Sequence, residues 1–246
     1  MTTIRQTPPK ALIFLANSGQ DPTEAAIPWS LLKTADCSVT FATEHGIVAC
    51  ADQLLLTSSI FARVLGATKK AKETYNEMTA SPEFQKPLSW SDESFDILEY
   101  GFFSTQPYMR CANFDGLVSI LDIVLLPGGH DKPIRQYLES ESLHRQLEKF
   151  LPCTKRDAPE PHKVLGAICH GVLSLAFAKC PVKQKSLLAE HNLQTTTLPR
   201  WMEATAWILS QAWFMGYYYR TYPDRWCYVD AEQAGGQYIR GPINQK

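Results

Sequence analysis

Four short segments that read as strands alternate with helix-like stretches, and this alternation constrains the fold more than any other feature. The segments span residues 11–16, 37–42, 122–127 and 164–168. The first is a continuous apolar run, which is typical of a strand covered on both faces, and the second is rich in β-branched and aromatic residues. Strands joined through helices predict right-handed crossovers, and hence an α/β fold with a doubly wound, mostly parallel sheet sandwiched by helices.

The helix-like stretches lie between and beside these strands. One helix is predicted at residues 23–35, and an amphipathic helix is predicted after Asp131. The second helix directs six apolar side chains inward: Ile134, Tyr137, Leu138, Leu147, Phe150 and Leu151. Residues 53–65 and 69–78 also read as helices, so the region of about 50–100 is interpreted as a helical cap. Aromatic residues at helical spacing within 201–219 are typical of a packed core helix.

Composition favours one enzyme-sized domain that spans residues 1–246. Hydrophobic residues make up 45% of the 246 residues, which suffices to bury a full core. The net charge of -1 argues against a nucleic-acid partner or an acidic membrane, because both select a basic surplus. The first ten residues lack a signal-peptide core, and no run reaches the ~20 apolar residues of a membrane span. A cytoplasmic location is therefore expected.

The cysteines and histidines give no sign of a metal site. Seven cysteines are scattered along the chain, at positions 37, 50, 111, 153, 169, 180 and 227. Their odd number and irregular spacing predict neither a disulfide framework nor a zinc site. His45, His144 and His191 are interpreted as surface or hydrogen-bonded residues, so no metal and no cofactor are expected.

Cys169 stands where the fourth strand changes into a helical stretch without loop residues between them. Such a chain must bend sharply, which places the side chain at the carboxyl edge of the sheet above a helix N terminus. Because a helix N terminus lowers a thiol pKa from about 8.5 to roughly 3.5–7.5, a reactive thiolate is expected. The alternative is an inert thiol in a core helix, the usual fate of a free cysteine.

Three motifs resemble those of a known family. Residues 167–171 read Ala-Ile-Cys-His-Gly, residues 125–131 read Leu-Leu-Pro-Gly-Gly-His-Asp, and residues 23–28 read Thr-Glu-Ala-Ala-Ile-Pro. Over residues 11–50 and 122–223, the chain resembles the ThiJ/PfpI superfamily, which has the class I glutamine amidotransferase-like, flavodoxin-like fold. The adjacent pair Cys169-His170 resembles the corresponding pair in one branch of the superfamily. That branch contains glyoxalase III, a glutathione-independent glyoxalase, and the heat-inducible holding chaperones.

That resemblance implies a triad in which Cys169 is the nucleophile, His170 the acid and base, and Glu203 the acid. Adjacent helical side chains diverge by about 100°, so the His170 ring reaches the sulfur only if another group holds it. Glu203 would hold it by accepting the second ring N–H. The alternative for Glu203 is an exposed carboxylate on an amphipathic helix.

Glu24 is a further catalytic candidate, because it follows the first strand and can reach the same sheet edge as Cys169. A carboxylate beside a thiolate must share one proton with it, and the proton is expected on Glu24. An ordinary glutamate in the first turn of a helix is the alternative.

The glycine pair of the second motif lets the backbone approach the sulfur. The N–H groups of Gly129 and His170 would then form an oxyanion hole. Gly128 and His130 are predicted to line the pocket, although a solvated loop explains His130 equally well.

The chain departs from the family pattern in two places. Residues 101–121 look like an insertion ahead of the strand that ends at the glycine pair. The chain also stops soon after Pro242, where the family usually continues into a further strand and helix. Either departure can distort the pocket without changing a catalytic residue.

The resemblance implies a cysteine-dependent enzyme that converts small 2-oxoaldehydes into 2-hydroxy acids without metal or glutathione. A cysteine hydrolase of small amides or esters is the enzymatic alternative. A holding chaperone or a redox sensor in a stress response is an alternative of another class. Glutamine amidotransfer is disfavoured, because those enzymes place their histidine far downstream and only His191 lies beyond His170. The expected partner is a small molecule, and a homodimer is left open.

Overall fold

The computed structural model describes residues 7–57, 66–98, 121–158, 163–179, 184–214 and 221–239. The central strands are β1 (Lys10–Phe14), β3 (Ser38–Thr43), β5 (Leu88–Ser89), β6 (Ile123–Leu126) and β7 (Val164–Ala167). They form a wholly parallel sheet in the order β5-β3-β1-β6-β7. Two short parallel pairs lie outside it: β2 (Ser18–Gln20) with β4 (Cys50–Ala51), and β8 (Gln194–Thr195) with β9 (Gln237–Tyr238). The predicted doubly wound α/β fold is confirmed.

Helices connect the strands and cover the sheet. They are α1 (Pro22–Thr34), α2 (Gln53–Leu56), α3 (Lys69–Ala80), α4 (Arg135–Leu138), α5 (Glu141–Phe150), α6 (Leu173–Phe177), α7 (Leu187–Glu190), α8 (Arg200–Phe214) and α9 (Cys227–Gln233). Short 3-10 turns span Lys132–Ile134, Leu151–Thr154 and Cys169–Val172. Within the described ranges, no helix combines the length and the apolar character needed to cross a bilayer.

Alternate side chains of β1 enter two separate hydrophobic cores. Leu12 and Phe14 pack on one side of the sheet in the core that includes α5, whereas Ala11 and Ile13 pack in the core that includes α1 and α3. Each of these four side chains is at most 1% exposed. Burial on both faces explains why this strand is continuously apolar in sequence.

The amphipathic helix predicted after Asp131 is two helices instead of one. α4 ends at Leu138, and Ser140 begins α5 as its N-cap by accepting a hydrogen bond from the Leu143 N–H at 3.4 Å. The indole N–H of Trp90 donates to the same hydroxyl at 3.0 Å, which fixes the cap. The six side chains predicted to face inward are nevertheless all buried.

The region interpreted as a cap is described in part. α3 begins at Lys69 as predicted and packs on α1 through its buried residues, which include Tyr75 and Met78. Of the helix predicted at 53–65, residues 58–65 lie outside the described residues, as do residues 101–120 of the predicted insertion. The single domain, the cap and the insertion therefore stay predictions.

α8 is packed differently from the predicted aromatic core helix. Trp201 and Ile208 are 58% and 60% exposed, and among the described side chains at 200–212 the most buried are Glu203 and Ser210. Polar groups tolerate this burial because they are hydrogen-bonded: Ser210 Oγ donates to the Trp207 carbonyl at 2.7 Å. The prediction of a packed aromatic helix is wrong for Trp201, while residues 215–219 lie outside the described chain.

Candidate active site

The segments that follow β1, β6 and β7 meet at the carboxyl edge of the sheet. The chain leaves β1 toward β3 on one side and later returns to β6 on the other, so the order of strands reverses between β1 and β6. Ligands of doubly wound folds bind at such switch points. Glu24 in α1, Gly128 after β6 and Cys169 after β7 all come to this edge.

Cys169 occupies the sharp bend that the sequence predicts. Its φ angle of 52° lies in the left-handed region, which is strained for a residue other than glycine. The bend leads into the turn Cys169–Val172 and then into α6. A Cβ atom at Gly171 would overlap the Leu126 carbonyl oxygen, so only glycine fits the close approach of this turn to β6.

The structure brings the three predicted triad residues together. Cys169 Sγ lies 3.4 Å from His170 Nδ1, and His170 Nε2 lies 3.9 Å from Glu203 Oε1. The second distance is too long for a hydrogen bond, and the contact becomes an ion pair only when the His170 ring is protonated. Glu203 is 1% exposed and accepts a hydrogen bond from the Cys227 N–H at 3.3 Å, so it is not an exposed surface carboxylate.

Glu24 carries a carboxyl group that favours the protonated form. Its Oε2 accepts a hydrogen bond from the Gly128 N–H at 2.7 Å, and its charge acts on the thiol of Cys169. Burial, together with the charge of Asp21, raises the pKa of Glu24 to about 8. The predicted proton on Glu24 agrees with this value.

The pKa of the Cys169 thiol is raised, whereas a position at a helix N terminus predicts a lowered pKa. Removal of the sulfur from water raises its pKa well above the ordinary value, and the charges of Glu24 and Cys227 raise it further. The backbone N–H of His170 donates a hydrogen bond to the sulfur, which lowers the thiol pKa and partly offsets these effects. The expectation of a lowered pKa is wrong, because α6 has only five residues and its dipole cannot outweigh desolvation.

His130 is partly buried and lies beside the thiol. Its Nε2 is 3.7 Å from Cys169 Sγ, and its ring meets the His170 ring edge to face with centroids 4.6 Å apart. Burial lowers the pKa of His130 to about 4 and lowers the pKa of His170 well below its ordinary value. Both imidazoles are therefore neutral near pH 7 and able to accept a proton.

A family model described as ThiJ/PfpI family-like matches residues 15–242. The chain belongs to this family. Uncharacterized protein C14C4.04 from Schizosaccharomyces pombe is 29% identical over 241 residues, which cover 93% of this chain and 78% of that protein.

Two solved structures share the fold of this ThiJ/PfpI-like chain. Glyoxalase III from Candida albicans superimposes with a TM-score of 0.58 at 17% identity, covering 96% of this chain and 84% of that one. Rapid Encystment Protein 24 KDa from Francisella tularensis has a TM-score of 0.59 at 13% identity, with coverage of 96% and 86%. At these identities the likeness establishes the fold alone.

Gly128 connects the loop after β6 to the start of α1 through hydrogen bonds. Its carbonyl accepts hydrogen bonds from the Asp21 N–H at 3.0 Å and from Gln20 Nε2 at 2.5 Å. A Cβ atom there would lie 2.7 Å from the His170 nitrogen, so a side chain would displace the turn at the nucleophile. The oxyanion hole assigned to the N–H groups of Gly129 and His170 stays a prediction.

Sequence reasoning overlooked two residues of this site. Asp21 caps α1 by accepting hydrogen bonds from the N–H groups of Thr23 and Glu24, and its charge acts on Glu24. The Asp-Pro pair at the start of a helical stretch could have identified it, because aspartate at the N-cap and proline at the first position are typical helix starts. Cys227 has no comparable local signal, because only the tertiary fold brings its Sγ to 3.9 Å from the Cys169 carbonyl oxygen.

Proposed function

We propose that this chain is a cysteine-dependent, glyoxalase III-like enzyme that converts small 2-oxoaldehydes into 2-hydroxy acids. The observation that carries the proposal is the distance of 3.4 Å between Cys169 Sγ and His170 Nδ1, with the buried Glu24 carboxyl group near enough for its charge to raise the pKa of the same thiol. Membership of the ThiJ/PfpI-like family and the fold shared with glyoxalase III support it. We further propose one domain and a cytoplasmic location, in keeping with the five described cysteines, which are free.

The reaction begins from a neutral thiol, because the pKa of Cys169 is raised. As sulfur adds to the aldehyde carbon, His170 Nδ1 takes the thiol proton and the Glu203 carboxylate stabilises the resulting imidazolium. The protonated Glu24 donates its proton to the aldehyde oxygen, which gives a hemithioacetal.

Isomerisation and hydrolysis complete the cycle. The proton on the former aldehyde carbon moves to the neighbouring carbonyl carbon through His170 or Glu24, which leaves a thioester of a 2-hydroxy acid on Cys169. Water then cleaves the thioester, releases the acid and returns the thiol. The sum is addition of one water to one 2-oxoaldehyde, with no net oxidation.

Substitution of Glu203 by glutamine tests the triad. We expect Glu203→Gln to lower turnover of a 2-oxoaldehyde panel by roughly 10²- to 10⁴-fold, and Cys169→Ser to abolish it. Glu73→Gln, in an exposed carboxylate of α3, is the matched control and should keep full activity. A Glu203→Gln protein that melts early yet turns over normally per folded molecule would instead make Glu203 a structural residue.

A holding chaperone is the second candidate, because α8 exposes apolar side chains. Trp201, Met202 and Ile208 are 58%, 41% and 60% exposed on this helix. Exposed apolar surface of this kind can bind unfolding proteins. In this case the unmodified chain and Cys169→Ser would suppress aggregation of a heated client equally, whereas a Trp201→Ser/Ile208→Ser double variant would not. Equal suppression by that double variant would remove the support for this candidate.

A further inference from the structure

Three potential metal ligands converge at the proposed nucleophile. Cys169 Sγ lies 3.4 Å from His170 Nδ1 and 3.7 Å from His130 Nε2, and all three atoms lie within 4.8 Å of one another. In a tetrahedral zinc site the Zn–S bond is about 2.3 Å and the Zn–N bonds about 2.0–2.1 Å, which puts sulfur and nitrogen about 3.5 Å apart. The two S–N distances of this site already match that spacing.

Neighbouring residues orient the two histidine ligands, as is usual around metal sites. The Glu203 carboxylate faces the ring nitrogen of His170 that points away from the sulfur, as in carboxylate–histidine–zinc arrangements. Thr221 Oγ1 donates to the His130 carbonyl oxygen at 3.1 Å and so fixes the loop that carries this ring. One thiolate and two imidazoles form a donor set that suits zinc rather than the oxygen-seeking Mg²⁺ or Ca²⁺.

We propose that Cys169, His170 and His130 bind one Zn²⁺ ion, which occupies the thiol and inhibits the enzyme. Binding forms one Zn–S and two Zn–N bonds and releases the thiol proton to solvent. Three protein ligands leave a fourth position for water. Only the inhibition rests on the proposed function, since the binding itself follows from the geometry.

Metal binding is tested on the reduced, chelator-treated full chain without substrate. Calorimetric titration with Zn²⁺ should give one equivalent per chain, and Co²⁺ used as a probe should give the intense visible bands of a tetrahedral thiolate complex. Cys169→Ser and His130→Gln should each weaken Zn²⁺ binding by at least 100-fold, whereas Cys50→Ser and His45→Gln, which lie outside the cluster, should bind like the unmodified chain. Circular dichroism of each variant checks that it is folded.

Two results of the binding titration would overturn the assignment. One is the absence of stoichiometric Zn²⁺ binding by the unmodified chain, and the other is unchanged binding by folded Cys169→Ser and His130→Gln proteins. One equivalent of Zn²⁺ should also protect Cys169 from iodoacetamide, with reversal by a chelator, and should stop turnover. Zinc binding that depends on Cys169 in a chain without 2-oxoaldehyde turnover would reject the proposed enzyme and keep the zinc site. If one equivalent of Zn²⁺ left both the turnover and the alkylation rate of Cys169 unchanged, the zinc site would be rejected and the proposed enzyme kept.

Discussion

At the scale of single residues, the site holds two acids that both resist ionisation. Burial raises the pKa of both Glu24 and Cys169, and the charge of Glu24 raises the pKa of the thiol further. In the proposed reaction the thiolate would therefore form during attack on the substrate instead of being present beforehand. This makes the neutral His170 ring, at 3.4 Å, the group on which the first step depends.

Alkylation of Cys169 by iodoacetamide should reflect this coupling. In the unmodified chain its rate should still rise above pH 9, because the thiol pKa is raised. Glu24→Gln should increase the rate above pH 8, where Glu24 is ionised, since removal of the neighbouring negative charge lowers the thiol pKa and raises the thiolate fraction. Mass spectrometry of the labelled peptides measures this rate against the exposed Cys50 of the same chain. A rate that levels off below pH 7 would show a lowered thiol pKa and contradict the assignment.

At the scale of secondary-structure elements, the turn at Cys169 depends on its contact with β6. Gly171→Ala should lower the free energy of unfolding by about 1–3 kcal/mol and reduce turnover, because the new methyl group would strike the Leu126 carbonyl oxygen. Gly166→Ala, in the adjacent strand, is the control, because its methyl group would meet only the flexible Leu125 side chain at 3.0 Å. Denaturant unfolding of both variants measures the difference, and equal losses would contradict the proposed steric cause.

The elements that could be predicted are those whose signal is local. The continuous apolar run of β1 reports burial on two faces, and the direct change from strand to helix at Cys169 reports the bend. The break between α4 and α5 could not be predicted, because it depends on Ser140 meeting Trp90, a residue 50 positions away.

The pKa values of the site could not be predicted from the sequence either. The thiol pKa depends on Glu24 and Cys227, which only the tertiary fold brings to Cys169. The pairing of His130 with His170 was missed for the same reason, since the two rings come from segments that follow different strands.

At the scale of the whole molecule, the site limits stability at both ends of the pH range. The unfolded chain binds a proton on His130 below its ordinary pKa of 6.5, but the folded chain does so only near pH 4, so stability falls on acidification between these values. The folded chain keeps the Glu24 proton up to about pH 8, but the unfolded chain loses it near 4.5, so stability also falls as the pH rises through that interval.

Thermal melting from pH 4 to pH 9 should therefore show a maximum near pH 5–6. Each titrating group contributes about 1.4 kcal/mol per pH unit, and the two effects cancel between pH 4.5 and 6.5. These two groups alone therefore lower the stability by about 2 kcal/mol from pH 6.5 to 8 and by less than about 1 kcal/mol from pH 4.5 to 4. Glu24→Gln should flatten the alkaline side and His130→Gln the acidic side, because each substitution removes one group that titrates differently in the folded and unfolded chains. A variant profile parallel to that of the unmodified chain would show that the substituted residue does not cause the dependence.

The order of the site residues along the chain has a consequence during synthesis. All five strands of the central sheet and the bend at Cys169 emerge from the ribosome before α8 and α9, which supply Glu203 and the N–H group that binds it. At about 5–20 residues per second, several seconds pass before those helices are complete. For that interval His170 lacks its carboxylate partner, so we expect the nascent thiol to be more open to peroxide than it ever is in the finished protein.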